Sequence, residues 1–335
     1  MDTSTTKYRL LDSLCPSWPW KRSISPHLNK ETTLKTLSSL LPTPESDAMR
    51  RKLAWDSAVL AALAYPTANL GQFAVAHQLT LLIFLLDEHS ERLSIDETGV
   101  FVAVAKELLY GHAVTAHRNV DAKTSLHEGI LSACERFADS LQVTPAPASA
   151  RKHIIDGICT FVDSFVPEAE YRTQPTGGEA LELTTYMTRR TANIGADAHF
   201  AVGELVLGVE LVDGDGEAGY YNPSLVRMRD IVSRMFVLSN DLVSYHKERL
   251  AGERRAKYNA LSILISQGRS FEDAEEVLVG MYHALAREFL SAYEEFIATI
   301  GDDKCGARAY AEHLAYWPRA QECFNFESGR YRSKT

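Results

Sequence analysis

What this sequence lacks narrows the reading before any motif is weighed. Alternating apolar–polar runs of the β type are almost absent from its 335 residues. The five cysteines, Cys15, Cys134, Cys159, Cys305 and Cys323, form no CxxC pair. An odd, scattered set suits a reducing compartment and not a disulfide scaffold. The longest apolar run, LTLLIFLL at 79–86, is too short to span a bilayer. The opening MDTSTTKYRLLDSLCPSWPWKR has no apolar signal core. Positive charge is in deficit, with 35 Lys and Arg against 44 Asp and Glu, a formal net charge of −9. Binding a phosphate backbone needs a basic face, so neither nucleic acid nor a membrane is expected as a partner. A small anion held in one local site is still compatible with this balance. The expectation is a cytoplasmic protein.

What is present is a large apolar fraction, 45% of residues, arranged at helical spacing. Val277, Leu278, Met281, Leu285, Phe289 and Leu290 show the pattern in 271–299. Helices are expected at 29–41, 49–64, 69–93, 97–117, 124–141, 148–167, 178–208, 222–250, 256–267, 271–299 and 304–323. The joints carry Pro, Gly, Asp and Asn, as in LPTPESD, QVTPAPAS, VDGDGEAGYYNPS and TIGDDKCG. No fixed repeat and no long linker divides the chain. The expected organisation is an irregular N-terminal segment at 1–25 followed by one all-α domain at 26–335.

Two stretches carry chemistry. In VLSNDLVSYHKERL (237–250) each helical residue advances by about 100°. With Asn240 at zero, Lys247, Ser244 and Glu248 fall at about −20°, 40° and 80° and share one stripe. Asp241 and His246 point elsewhere, at about 100° and 240°. A stripe of amide, hydroxyl, ammonium and carboxylate on an apolar helix either faces water or binds something, because unpaired burial costs several kcal/mol. Hard oxygen donors suit Mg²⁺, which shares its shell with phosphates, and Lys247 suits an anion beside it. In LTLLIFLLDEHSERL (79–93), Asp87 and Glu91 lie one turn apart on one face. Like charges so placed repel unless a cation lies between them. Taken alone, DEHSER is equally an acidic, solvated helix end.

Together these motifs resemble those of class I terpene synthases. That family carries DDxx(D/E) on one helix and (N,D)Dxx(S,T)xx(K,R)(D,E) on a later one. NDLVSYHKE fits the second at every defined position, and DEHSE fits the first with Glu88 replacing the second aspartate. FNFESGRYRS at 324–333 ends in Arg330-Tyr331, similar to the Arg-Tyr pair of microbial members. TTYMTRRTANIGA (184–196) resembles the segment with the diphosphate-sensing arginine and helix break, and SISPHLN (23–29) resembles an NPH stretch. The interval between Arg190 and Asn240 is long for the family, and the loop VDGDGEAGYYNPS takes up the excess.

The resemblance implies a single-domain helical bundle around a central apolar cavity. It implies three Mg²⁺, with Asp87, Glu91, Asn240, Ser244 and Glu248 as ligands, the two motifs facing each other across that cavity. Lys247, Arg330, Tyr331 and an arginine of the 189–190 pair, Arg190 in preference, would hold diphosphate. The helix break is expected within Asn193–Gly195. Phe84, Phe161, Phe165, Trp317 and Phe324 are candidates to line the cavity, with Tyr65 and Phe73 behind them. The implied reaction is ionisation of an acyclic prenyl diphosphate, farnesyl diphosphate first and geranylgeranyl diphosphate as alternative, then cyclisation, by a monomer or homodimer. A chain-elongating prenyltransferase would carry two aspartate-rich motifs, and a protonating cyclase a DxDD motif; neither is present. A silent helical protein that binds a prenyl ligand remains the alternative from another class.

Overall fold

The structure is a computed structural model that describes residues 10–11, 18–41, 48–112, 125–173, 181–212, 219–252, 257–300, 305–328 and 330–331. Most of the expected N-terminal segment, and the joints at 42–47 and 213–218, lie outside the described residues. Among those described there are thirteen helices and no strand, only an isolated bridge between Val212 and Gly219. The helices form two compact units.

One unit comprises Ile24–Ala169 and Asp197–Glu210. It holds α1 (Lys30–Leu40), α2 (Ala48–Ala64), α3 (Leu70–Ser90), α4 (Ile95–Leu109), α5 (Ser125–Val143), α6 (Ala148–Asp163), the start of α7 (Phe165–Thr173) and nearly all of α9 (Ala196–Leu207). Helix α3 starts at a capping box in which Asn69 and Gln72 satisfy each other's backbone N–H groups. Its apolar residues run all round the axis, which marks a core helix. It has the length and composition to cross a membrane, but it is mostly buried within the protein. A polar pair sits inside this unit: His153 Nδ1 lies 2.7 Å from Glu204 Oε1, both side chains wholly buried. Where α6 meets α9, Gly157 permits the contact. A Cβ there would lie 2.5 Å from the Ala198 nitrogen.

The other unit comprises Met1–Ser23, Glu170–Ala196 and Leu211–Thr335. Its axis is α10 (Pro223–Ala251), which packs on α12 (Phe271–Thr299), α13 (Cys305–Glu327), α8 (Leu183–Asn193) and α11 (Ala260–Ser266). Asn222 caps α10, and Pro223 stands at its first position, where no N–H is missed. The N-terminal segment straps this unit. Trp18 and Trp20 pack on Phe289, Trp20 also on Tyr293, and Glu322 accepts a hydrogen bond from the Leu11 N–H at 2.8 Å.

Three expected helices differ in extent. The stretch 148–167 is two helices separated at Ser164; Pro167 falls in the first turn of the second, where a missing N–H is tolerated. The stretch 97–117 begins at Ile95 and ends by Tyr110, because Gly111 takes φ 76°. The stretch 178–208 breaks at Ile194 and Gly195, the latter at φ 69°. That left-handed conformation favours glycine.

Candidate functional site

The polar stripe of α10 lies within the second unit. Asn240 Nδ2 donates to the Tyr331 hydroxyl at 2.8 Å, and Asn240 Oδ1 accepts from Arg190 Nη2 at 3.3 Å. A guanidinium can only donate, so this contact fixes which end of the amide is oxygen. Arg190 reaches α10 from the last turn of α8. Its Nη1 also donates to the Asn193 carbonyl at 3.1 Å and to Asn193 Oδ1 at 2.5 Å. Arg189 is exposed on the same helix. Of the pair, Arg190 is therefore the one in contact with the stripe.

Asp241 is buried. Its Oδ2 accepts from the Tyr186 hydroxyl at 2.6 Å and from the Ala260 N–H at 2.8 Å, and Oδ1 stands 4.0 Å from Arg190 Nε. Burial pushes the Asp241 carboxyl above its ordinary value, against the pull of Arg190 and the two donors. Glu248 is pushed up to about 7, first by desolvation and then by the Asp241 charge. Part of the Glu248 side chain reaches the surface, but its carboxylate is enclosed, with Asn259 Nδ2 donating to Oε2 at 3.0 Å. The Ser244 hydroxyl is near enough to lower the Glu248 value, yet it is buried and among the described residues meets no partner at hydrogen-bonding geometry.

This donor set fits a hard divalent cation. An amide oxygen, a hydroxyl and a carboxylate occupy successive turns of one face. Among the described residues the hydroxyl is buried without a hydrogen-bond partner, and burial raises the carboxyl above its ordinary value. No cluster of three His, Cys, Asp or Glu side chains occurs among the described residues; here two of the three donors are neutral Asn and Ser. Asn240 Oδ1 would exchange its bond from Arg190 for the metal. Lys247 Nζ lies 5.9 Å from the Tyr331 ring centre, placing an ammonium and a phenol side by side, and Arg330 adjoins them in sequence.

The first acidic motif ends α3 in the other unit. Asp87, Glu88 and Glu91 are half-buried. Between them His89 turns into the protein, with Nε2 3.0 Å from His127 Nδ1 and its ring edge-on to Phe101. Burial lowers His89 to about 4, so it is neutral. Among the aromatic candidates, Phe84 is half-buried one turn before Asp87. Phe161 and Phe165 are fully buried and meet edge to face at 4.8 Å. In the second unit Trp317 packs on Phe236 and donates its N–H to His313 Nε2 at 3.1 Å. Phe324 stands edge-on to Tyr331. Tyr65 and Phe73 are buried in the first unit, Tyr65 donating to the His199 carbonyl.

Sequence reading missed Tyr186 and Asn259, both of which touch the motif. Asn259 does carry a signal, since an Asn before the apolar run ALSILI marks a helix start. That signal reports a cap and not a contact with Glu248.

Residues 78–288 match the family described as terpene synthase family 2, C-terminal metal binding. A Delta(6)-protoilludene synthase of Postia placenta is 24% identical over 321 residues, which cover 94% of this chain and 85% of that protein. Sesquiterpene synthase 14 of the same organism is 27% identical, with coverage of 94% and 85%. Among solved structures, a linalool/nerolidol synthase from Streptomyces clavuligerus in complex with 2-fluorogeranyl diphosphate is similar, with a TM-score of 0.73 at 18% identity. The likeness covers 93% of this chain and 98% of that one, and it shows the all-α class I terpene synthase fold.

Proposed function

Since the chain belongs to terpene synthase family 2, whose metal-binding region it matches over 78–288, we propose that it is a class I terpene cyclase acting on farnesyl diphosphate. The observation that carries this is the α10 stripe: Asn240, Ser244 and Glu248 present three oxygens on one face, with the Ser244 hydroxyl buried without a hydrogen-bond partner among the described residues. The similarity to proteins named as sesquiterpene synthases supports farnesyl diphosphate over geranylgeranyl diphosphate. We treat residues 26–335 as one functional domain, working in the cytoplasm as a monomer or homodimer.

In this reading Asn240, Ser244 and Glu248 hold Mg²⁺, and Asp87 with Glu91 holds more of it, three ions in all. When bound, the metal neutralises charge growing on the departing diphosphate. Arg190, Lys247, Arg330 and Tyr331 bind the diphosphate oxygens and donate hydrogen bonds to them. The Tyr331 oxygen accepts from Asn240 Nδ2, so its own hydrogen points away from that contact. The hydrocarbon chain requires a dry apolar enclosure, because water would quench the cation. Phe84, Phe161, Phe165, Trp317 and Phe324 are assigned to that lining, where ring faces attract positive charge.

The test is incubation of the purified protein with geranyl, farnesyl, geranylgeranyl and geranylfarnesyl diphosphates, with Mg²⁺ or with EDTA, followed by gas chromatography–mass spectrometry. A cyclic hydrocarbon or alcohol from farnesyl diphosphate, formed only with the metal, is expected. Release of diphosphate from none of the four would leave the silent binding protein as the better reading. Asn240→Ala and Asp87→Ala are each expected to abolish turnover while the circular dichroism spectrum is unchanged.

A further inference from the structure

Asn259 is fully buried at the start of α11 and lies outside both metal motifs. Every polar atom of its side chain is committed. Oδ1 caps α11 by accepting the Leu261 N–H at 2.9 Å. Nδ2 donates to the Asp241 backbone carbonyl at 3.1 Å and to Glu248 Oε2 at 3.0 Å. The opposite amide orientation would set an oxygen against a carboxylate and an NH₂ against an N–H, so the partners dictate this one. The same turn supplies the Ala260 N–H to Asp241 Oδ2. Two adjacent residues of α11 therefore grip α10 at both ends of the motif.

We propose that Asn259 is a positioning residue for Glu248. Its amide fixes the rotation of the carboxylate by occupying Oε2, leaving Oε1 for the metal. The proposal rests on the reading of Glu248 as a metal ligand. Partners that orient a ligand in this way commonly change metal affinity tenfold or more when removed. A solvated Glu248 would instead sample several rotamers, and ordering it would count against binding.

The cap and the positioning contact can be separated. Ser is a good helix cap but too short to reach Glu248. Asn259→Ser is expected to keep the fold by circular dichroism and to shift the melting temperature by only a few degrees, while raising the calorimetric Kd for Mg²⁺ with inorganic diphosphate about tenfold. Asn259→Ala should raise that Kd to the same degree and lose the cap as well. In a Glu248→Gln background, Asn259→Ser should change the Kd less than twofold, whereas a merely structural residue would weaken binding there too.

A Kd within twofold of wild type in folded Asn259→Ser, an undiminished effect in the Glu248→Gln background, or loss of fold in Asn259→Ser would each overturn the proposal. If wild-type protein binds no Mg²⁺ with diphosphate, the proposed function itself falls. If wild type binds and Asn259→Ser binds equally well, only the role of Asn259 falls.

Discussion

Glu248 and Asp241 share α10, two turns apart, and burial raises both carboxyls while Arg190 opposes the rise. The folded pKa of Glu248, about 7, lies above its ordinary 4.5. Between those values the folded chain binds more protons than the unfolded chain, so stability falls as pH rises through the window. This sign is the reverse of an ion-paired carboxylate. Urea unfolding in EDTA at pH 6 and pH 8 is expected to show wild type losing about 1 kcal/mol through this group, after discounting for the partly exposed side chain. Glu248→Gln should flatten the dependence, and Mg²⁺ should restore stability to wild type at pH 8. A wild type more stable at pH 8 than at pH 6 in EDTA, with the difference abolished by Glu248→Gln, would reverse the assignment. The stripe itself was legible because Asn240, Ser244, Lys247 and Glu248 recur at i, i+4, i+7 and i+8, but spacing alone leaves Asp241 only about 20° from Glu248. The partners that hold Asp241, Tyr186 and the Ala260 N–H, come from other helices, and no local pattern encodes them.

At the scale of helices, periodicity marked nearly every element, because burying one apolar face dictates where apolar residues recur. It did not mark how closely two helices approach. Gly157 of α6 faces the backbone of α9, where an added Cβ would meet the Ala198 nitrogen at 2.5 Å, its Cα at 2.7 Å and the Asp197 carbonyl carbon at 3.0 Å. None of these atoms belongs to a flexible side chain, so the helices themselves must move. In an isolated helix Gly→Ala would gain about 1 kcal/mol. Here the overpacking penalty of about 1–3 kcal/mol outweighs that gain. Gly157→Ala is therefore expected to destabilise by a net of about 1 kcal/mol in urea unfolding. Gly99→Ala in α4 and Gly129→Ala in α5, where an added Cβ meets nothing within 4 Å, should each stabilise by about 0.5–1 kcal/mol. Equal effects at the three positions would show that α6 and α9 are not held at this contact.

At the scale of the whole chain, residues far apart in sequence close one unit. Leu11 meets Glu322 across 311 positions, and Arg22 meets Glu327 across 305. Contacts of such separation leave no trace in local periodicity, so the prolines at the start suggested only an irregular segment. Two kinds of contact fasten the strap, and magnitudes rank them. The Arg22–Glu327 pair is bidentate, with N–O distances of 2.6 and 2.8 Å, but both side chains are over a third exposed. Solvent and salt screen such a pair to at most about 1 kcal/mol. Trp18 is fully buried, its ring 5.6 Å from Phe289 and 5.5 Å from Trp20. Truncating a buried Trp costs about 3–5 kcal/mol through lost burial and the cavity left behind. Its indole N–H has no hydrogen-bond partner among the described residues, which places the true cost toward the lower end. Trp18→Ala is thus expected to lower stability by about 3 kcal/mol in urea unfolding, and Arg22→Ala by less than about 1 kcal/mol. Raising salt to 1 M should remove most of the Arg22 effect and little of the Trp18 effect. If Arg22→Ala proves the more damaging, electrostatics and not aromatic burial fastens the strap to α12 and α13.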